Sequence, residues 1–227
     1  MVRKGLTFSA GIVAVMAGVA LWAERAIPND ARVALHYGLD GAVNRFGDKR
    51  EAIFVLWLMV GLGVFISVLM AVMARLEPRR DNLSRSPGTY LLAWIGGLLT
   101  LLLVSALMAT SFVGGAPQDP DFVVRVILGA TGFFILVLGN ALGKVRPNFT
   151  MGVRTPWTLS SDIAWDKTHR LAGWVMVAWG LAQIAAAALA PALWAVAAAT
   201  AGGALGMGFL VVASYFYWRD APDKKPR

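Results

Sequence analysis

Charged residues are absent from five long stretches of this chain, residues 5–23, 52–74, 86–118, 126–143 and 171–218. A helix needs about 20 mostly apolar residues to cross the ~30 Å hydrocarbon layer of a bilayer. The first four stretches therefore predict one crossing each. The third has turn residues at both ends, Ser86, Pro87 and Gly88 and then Gly114, Gly115, Ala116 and Pro117. Its helix is expected over 89–113. The fifth stretch is too long for one crossing, because 48 residues at about 1.5 Å each would span roughly 72 Å. Pro191 lies near its middle and breaks a helix there. Two crossings joined by a tight turn at Ala190, Pro191 and Ala192 bring the total to six. The expected fold is all-α, a polytopic membrane helix bundle forming a single integral membrane domain over 1–227.

Composition agrees. Of 227 residues, 58% are hydrophobic and 15% charged, against about half and a quarter in soluble domains. That balance excludes a water-soluble globule and an intrinsically disordered chain. There is no cysteine, which removes disulfides, thiolate metal sites and cysteine nucleophiles. The initial Arg3, Lys4 and apolar run resemble a secretory signal, but the run exceeds a signal core and ends without a clear cleavage site. A retained first crossing is expected.

The net charge of +8 sets the orientation. Basic residues gather in short cytoplasmic loops. With the N-terminus inside, fifteen of the 21 lysines and arginines fall on inner segments, including Arg75, Arg79, Arg80, Arg85, Lys225 and Arg227. Five fall on outer ones, and Arg125 stands at the outer end of the fourth helix. Both termini are expected in the cytoplasm, with the basic rim meeting anionic lipid headgroups. A compact basic face that would bind nucleic acid directly is not present. Trp22, Trp57, Trp94, Trp174, Trp194 and Trp218 fall near helix ends, as an interfacial aromatic belt does.

Small residues recur at helix-contact spacing: Ala10, Ala14 and Gly18; Gly132, Gly139 and Gly143; Gly202 and Gly206. They predict a tight bundle or a homo-oligomer interface. No ionisable residue stands at mid-membrane depth to suggest an ion pathway, and no matched pair of broken helices suggests an inverted repeat.

Two loops remain for function. Outer loop 24–51 contains His36, Asp40, Arg45 and Asp48. Gly38, Gly41 and Gly47 mark turns, so an ordered loop without regular structure is expected. Its acids and His36 show no ligand spacing for a cation, and no metal or cofactor is expected. Ligand contact suits an ordered exterior loop better.

Inner loop 144–170 is richer. Pro147 ends the fourth helix at Arg146 or just before, and Pro156 holds Arg154 and Thr155 extended. Ser160, Ser161 and Asp162 can cap a new helix, giving a short interfacial helix that runs into the fifth crossing. On it Asp162, Asp166 and Arg170 share a stripe, with Asp166 placed to pair with Arg170, and Trp165, His169 and Gly173 share the next. One reading is an interfacial anchor. The other is a platform offering Arg154, Trp157, Trp165 and His169 to a partner. Arg154 is expected to resist replacement by lysine if its planar fork makes two contacts. Asp162, Asp166 and His169 are the acid–base groups available, yet no assembled catalytic site is visible and an enzyme is not expected.

This loop also carries a resemblance. Pro147, Asn148 and Phe149, then Gly152, Val153, Arg154, Thr155, Pro156, Trp157, Thr158 and Leu159, then Trp165, Asp166, Lys167, Thr168, His169 and Arg170, followed by Gly173, closely resemble the signature of the SdpI family. Pro28, His36, Gly41, Arg45 and Gly47 of the outer loop resemble an accessory segment that often precedes that signature. The resemblance implies a multipass protein of the bacterial cytoplasmic (inner) membrane that protects the cell from a secreted membrane-active peptide toxin. It also implies signalling, in which the toxin-bound protein captures a cytoplasmic repressor. On that basis the site would comprise Asn148, Gly152, Arg154, Thr155, Pro156, Trp157, Trp165, His169 and Arg170 inside, with His36 and Arg45 outside. The alternatives from other classes are a small-molecule transporter or exporter and a membrane-embedded hydrolase.

Overall fold

The computed structural model describes residues 1–37, 43–114 and 120–224. Six of its helices are long and apolar enough to cross a membrane: α1 (Val2–Ala26), α2 (Lys49–Leu76), α4 (Pro87–Gly114), α5 (Pro120–Leu142), α7 (Asp162–Leu189) and α8 (Ala192–Arg219). Two single-turn helices, α3 (Arg80–Ser84) and α6 (Pro156–Ser160), lie at the end of the bundle that also holds Met1. That end is here called the inner end. The expected polytopic all-α bundle is present, and the many exposed large apolar side chains along the crossings, such as Phe8, Phe65, Leu189 and Leu205, suit a lipid-facing surface.

The crossings form two groups of three. Helices α1, α2 and α4 pack on one another, as do α5, α7 and α8, and α4 against α5 is the one pair of elements joining the groups among the described residues. Within the second group α5 and α7 approach most closely, because glycines face each other at two levels. A Cβ on Gly180 would lie 2.5 Å from the Gly132 carbonyl oxygen, and one on Gly173 would lie 2.8 Å from that of Gly139. The expected stripe of Gly132, Gly139 and Gly143 thus has its partner in Gly173 and Gly180. Gly202 and Gly203 accommodate Trp179 of α7, whose indole N–H donates to Ala199 O at 3.0 Å. Ala10, Ala14 and Gly18 face outward instead.

Three expectations need correction. Outer loop 24–51 is not devoid of regular structure: β1 (Val33–Tyr37) and β2 (Val43–Gly47) pair as an antiparallel hairpin, with Val33 opposite Gly47 and His36 opposite Arg45. Val33 is buried with Ile27 over the outer ends of α1, α2 and α4. The turns assigned to Gly38 and Gly41 lie outside the described residues, as do Gly115, Ala116, Pro117, Lys225 and Arg227. Trp94 does not join an interfacial belt. It is 1% exposed, because Gly5 of α1 leaves room for its indole and Tyr90 meets it edge-on at 6.1 Å. Trp22, Trp57, Trp174 and Trp194 are exposed as expected. Finally, the helix capped by Ser161 is no separate interfacial piece. It is the first part of α7, whose 28 residues extend about 42 Å at 1.5 Å per residue. Helix α5 stops at Leu142, a turn before Arg146.

The glycine contact yields a paired expectation. Replacing Gly180 by valine drives a side chain into backbone that cannot yield, an overpacking that costs about 1–3 kcal/mol. Gly18→Val meets open space and should leave the thermal unfolding midpoint in detergent unchanged, whereas Gly180→Val should lower it.

Candidate functional site at the inner end

The chain between α5 and α7 is a polar backbone segment at the end of an apolar bundle, and buried N–H and C=O groups there must find partners. The sequence provides them locally. The Asn148 side chain, fully buried, accepts from the N–H of Thr150 at 2.9 Å and of Met151 at 2.7 Å and donates to Arg146 O at 2.8 Å. Arg154 donates through one nitrogen, Nη1, to the carbonyls of Phe149 at 2.9 Å and Thr150 at 2.8 Å. The fork expected of this arginine is therefore not what holds the loop. Thr155 caps α6 with a reciprocal capping box to Thr158, and Pro156 occupies the first turn. Ser161 caps α7 by accepting from Ala164 N–H at 3.0 Å.

Below this frame lie Trp165 and His169, both fully buried. Their rings stack with centroids 3.9 Å apart and planes 16° from parallel. The Trp165 indole N–H donates to Val145 O at 2.7 Å. His169 Nδ1 lies 2.9 Å from Trp165 O, and its Nε2 accepts the Val153 N–H at 3.0 Å. A carbonyl can only accept, so these partners assign the neutral Nδ1–H tautomer. Gly152 crosses the open side of that ring with φ +111°, and a Cβ there would fall on Nε2. Only glycine tolerates both the backbone region and the space.

The expected residues thus meet in part. Asn148, Gly152, Arg154, Thr155, Pro156, Trp157, Trp165, His169 and Arg170 gather at the inner end, while His36 and Arg45 sit on the hairpin at the opposite end. There His36 Nδ1 is 2.7 Å from Asn44 Oδ1 and Arg45 pairs with Glu51 at 2.8 Å. The platform reading is altered by burial: Trp165 and His169 face the interior and hold the loop, whereas Arg154 and Arg170 are exposed. Trp157, half-buried, meets Tyr215 of α8 edge-on at 5.5 Å. Arg170 reaches the backbone carbonyl of Asp166 at 3.4 Å rather than its carboxylate. The acid that pairs is Asp162, with Arg79 at 3.8 Å. His169 has both nitrogens engaged by backbone, and Asp162 faces an arginine, so the proposed acid–base groups form no reacting set.

Sequence reasoning missed Glu77. This 2%-exposed residue at the end of α2 accepts from the N–H of Arg79 at 3.0 Å and of Phe149 at 3.1 Å, and from the Thr150 hydroxyl. Burial pushes its carboxyl up. The Thr150 hydroxyl and the N–H groups of Phe149, Arg79 and Thr150 favour the anion and hold it below the ordinary value of 4.5. Around it Arg79 donates to Leu159 O at 3.2 Å and covers the Phe149 ring at 5.2 Å. Asn82 donates to Pro147 O at 2.8 Å, and Ser86 accepts from Arg146 N–H at 3.2 Å. From the other side Thr155 meets Ser214 at 3.1 Å, and Asp223 accepts from Ser161 and from Ile163 N–H. The available signal was an acid, Glu77, placed at a helix end between Arg75 and Arg79 and followed by a proline.

Six crossings and an ordered polar cap at one end define a multi-pass α-helical membrane protein. Residues 144–217 match the model of the SdpI/YfhL protein family. The chain is also 29% identical over 83 residues to the protein named "Immunity protein SdpI" of Bacillus subtilis (strain 168). That similarity takes in 37% of this chain and 39% of the relative, so the chain spans about two fifths of the length of the curated relative it matches. The likeness read from the loop signature is thereby shown for the segment that carries it, residues 144–217. The match takes in the inner loop and most of α6 to α8 but not the hairpin. No solved structure matches the chain.

Gly152→Ala should destabilise the protein by about 1–3 kcal/mol, the range for a strained residue, and a lowered thermal midpoint in detergent would register it. The sign for Glu77 follows from its depressed ionisation. Its contribution is complete above the ordinary carboxylate value of 4.5 and is lost as pH falls below that towards the folded value. Wild-type midpoints should therefore drop on that acid limb, and Glu77→Gln should flatten the drop.

Proposed function

We propose that this chain is a membrane immunity protein that protects a bacterial cell from a secreted, membrane-active peptide toxin. The observation that carries the reading is the match of 144–217 to the SdpI/YfhL family, together with the similarity to a protein named for immunity. In this reading the protein sits in the cytoplasmic membrane with the inner end, rich in exposed Arg80, Arg85, Lys144, Arg146, Arg154 and Lys167, facing the cytoplasm and its anionic lipids. That placement follows the positive-inside rule. The hairpin with His36 and Arg45 then faces outward and meets the peptide. The inner loop, built on Trp165 and His169 and displaying Arg154 and Arg170, is the surface for a cytoplasmic repressor. A scaffold role for this loop is supported by the engagement of Asn148, Arg154, Thr158 and His169 with its backbone.

Expression at matched membrane levels in a toxin-sensitive strain tests the reading. Wild type should raise survival under toxin challenge. Replacing His36 and Arg45 together by alanine should abolish the gain without lowering the amount in the membrane. A wild type that gives no survival advantage would set immunity aside and turn attention to solute flux in proteoliposomes.

A further inference from the structure

The joints between the two helical groups are unevenly distributed. Within the membrane the groups meet along α4 and α5 alone among the described residues, where the Phe134 ring covers Gly96. Among the described residues, a set of polar bonds joins the groups at the inner end. Glu77 receives Phe149 and Thr150, Arg79 reaches Leu159 and Asp162, Asn82 reaches Pro147, and Ser86 receives Arg146. Thr89 adds a longer bond to Ala141 O at 3.4 Å. Met151 packs against buried residues of both groups. At the outer end Arg45 pairs with Glu51 within the first group, and Arg125 reaches Ala188 O within the second. By contrast, α5 and α7 are in backbone contact at two levels.

We infer that the two three-helix groups are separate rigid bodies that turn on the α4–α5 seam, and that Glu77 is the catch holding their inner ends together. Its carboxylate concentrates three donors of the opposing loop and its own turn on two oxygens. Ionic hydrogen bonds of this kind are stronger than neutral ones, and packed groups that meet along one seam are suited to hinge motion. When the catch opens, the Phe149 and Thr150 groups lose their acceptor and the loop that displays Arg154 moves away together with its own group. This device does not depend on what the protein protects against.

The cysteine-free chain allows spin-label pairs to be introduced without background. The full chain in lipid nanodiscs would carry Ser84→Cys with Lys167→Cys to span the groups, and Lys144→Cys with Ser160→Cys to span the inner loop within one group. In wild type both distance distributions should be narrow. In Glu77→Ala the Ser84–Lys167 distribution should shift to longer distance and broaden while the Lys144–Ser160 distribution stays narrow. No change across the groups overturns the inference. Equal broadening of both pairs also overturns it, since Glu77 would then only support the loop. Should Glu77→Ala fail to fold, Asn82→Ala with Thr150→Val weakens the same joint more gently and is read the same way.

Discussion

The stack of His169 on Trp165 is the contact on which the inner end depends. Each ring fixes a different strand of backbone: the indole holds the carbonyl of Val145 as α5 ends, and the imidazole holds the amide of Val153 as the loop returns. Two neighbouring turns of α7 thereby anchor both sides of a loop without regular secondary structure. Gly152 lets the chain pass close enough to the Nε2 edge of the imidazole for the Val153 amide to reach it. Asn148, Thr158 and Arg154 then satisfy the backbone groups that the stack leaves over. A loop at a membrane surface is usually held by water, but here protein groups perform that task. This explains why so many of its polar residues are buried, Asn148, Thr155, Thr158 and Ser161 among them.

The fold was largely legible because a bilayer imposes a length on uncharged runs, and Pro191 divides the one run that is too long. The cap at Ser161 was legible for a related reason, since capping is local and its residues are few, whereas the cap at Thr155 was legible only as extended chain before Pro156. What stayed hidden depends on partners far away in the chain. Glu77 lies 72 residues from Phe149, and no local pattern announces that an acid at a helix end will serve another loop. Trp94 read as an interfacial residue because its burial depends on Gly5 of a different helix. The hairpin was missed because its strands are five residues each, too short for alternation to stand out. Within the signature, the pattern of residue types did not reveal posture: Trp165 and His169 hold the loop from inside, and the exposed positions are Arg154 and Arg170.

Packing in the two groups follows different rules. The second group closes through glycine against glycine, so its helices approach at backbone distance with little freedom to adjust. The first group closes through side chains, with Met16, Ala20, Leu56 and Phe112 in its outer core and Tyr90, Trp94 and Leu98 in its inner one. The signature is thus mounted on the group with glycine-to-glycine contacts, and the hairpin on the group closed by side chains.

The acceptor for the Phe149 and Thr150 groups lies outside the segment that matches the family. A chimera that transplanted residues 144–217 into another membrane scaffold would carry the stack, the caps and Gly152 intact, yet would arrive with two donors pointing at nothing. The recipient would have to offer an oxygen at that place or leave those groups unbonded. The signature is therefore not a self-sufficient cassette, since residues 149 and 150 take their acceptor from residue 77.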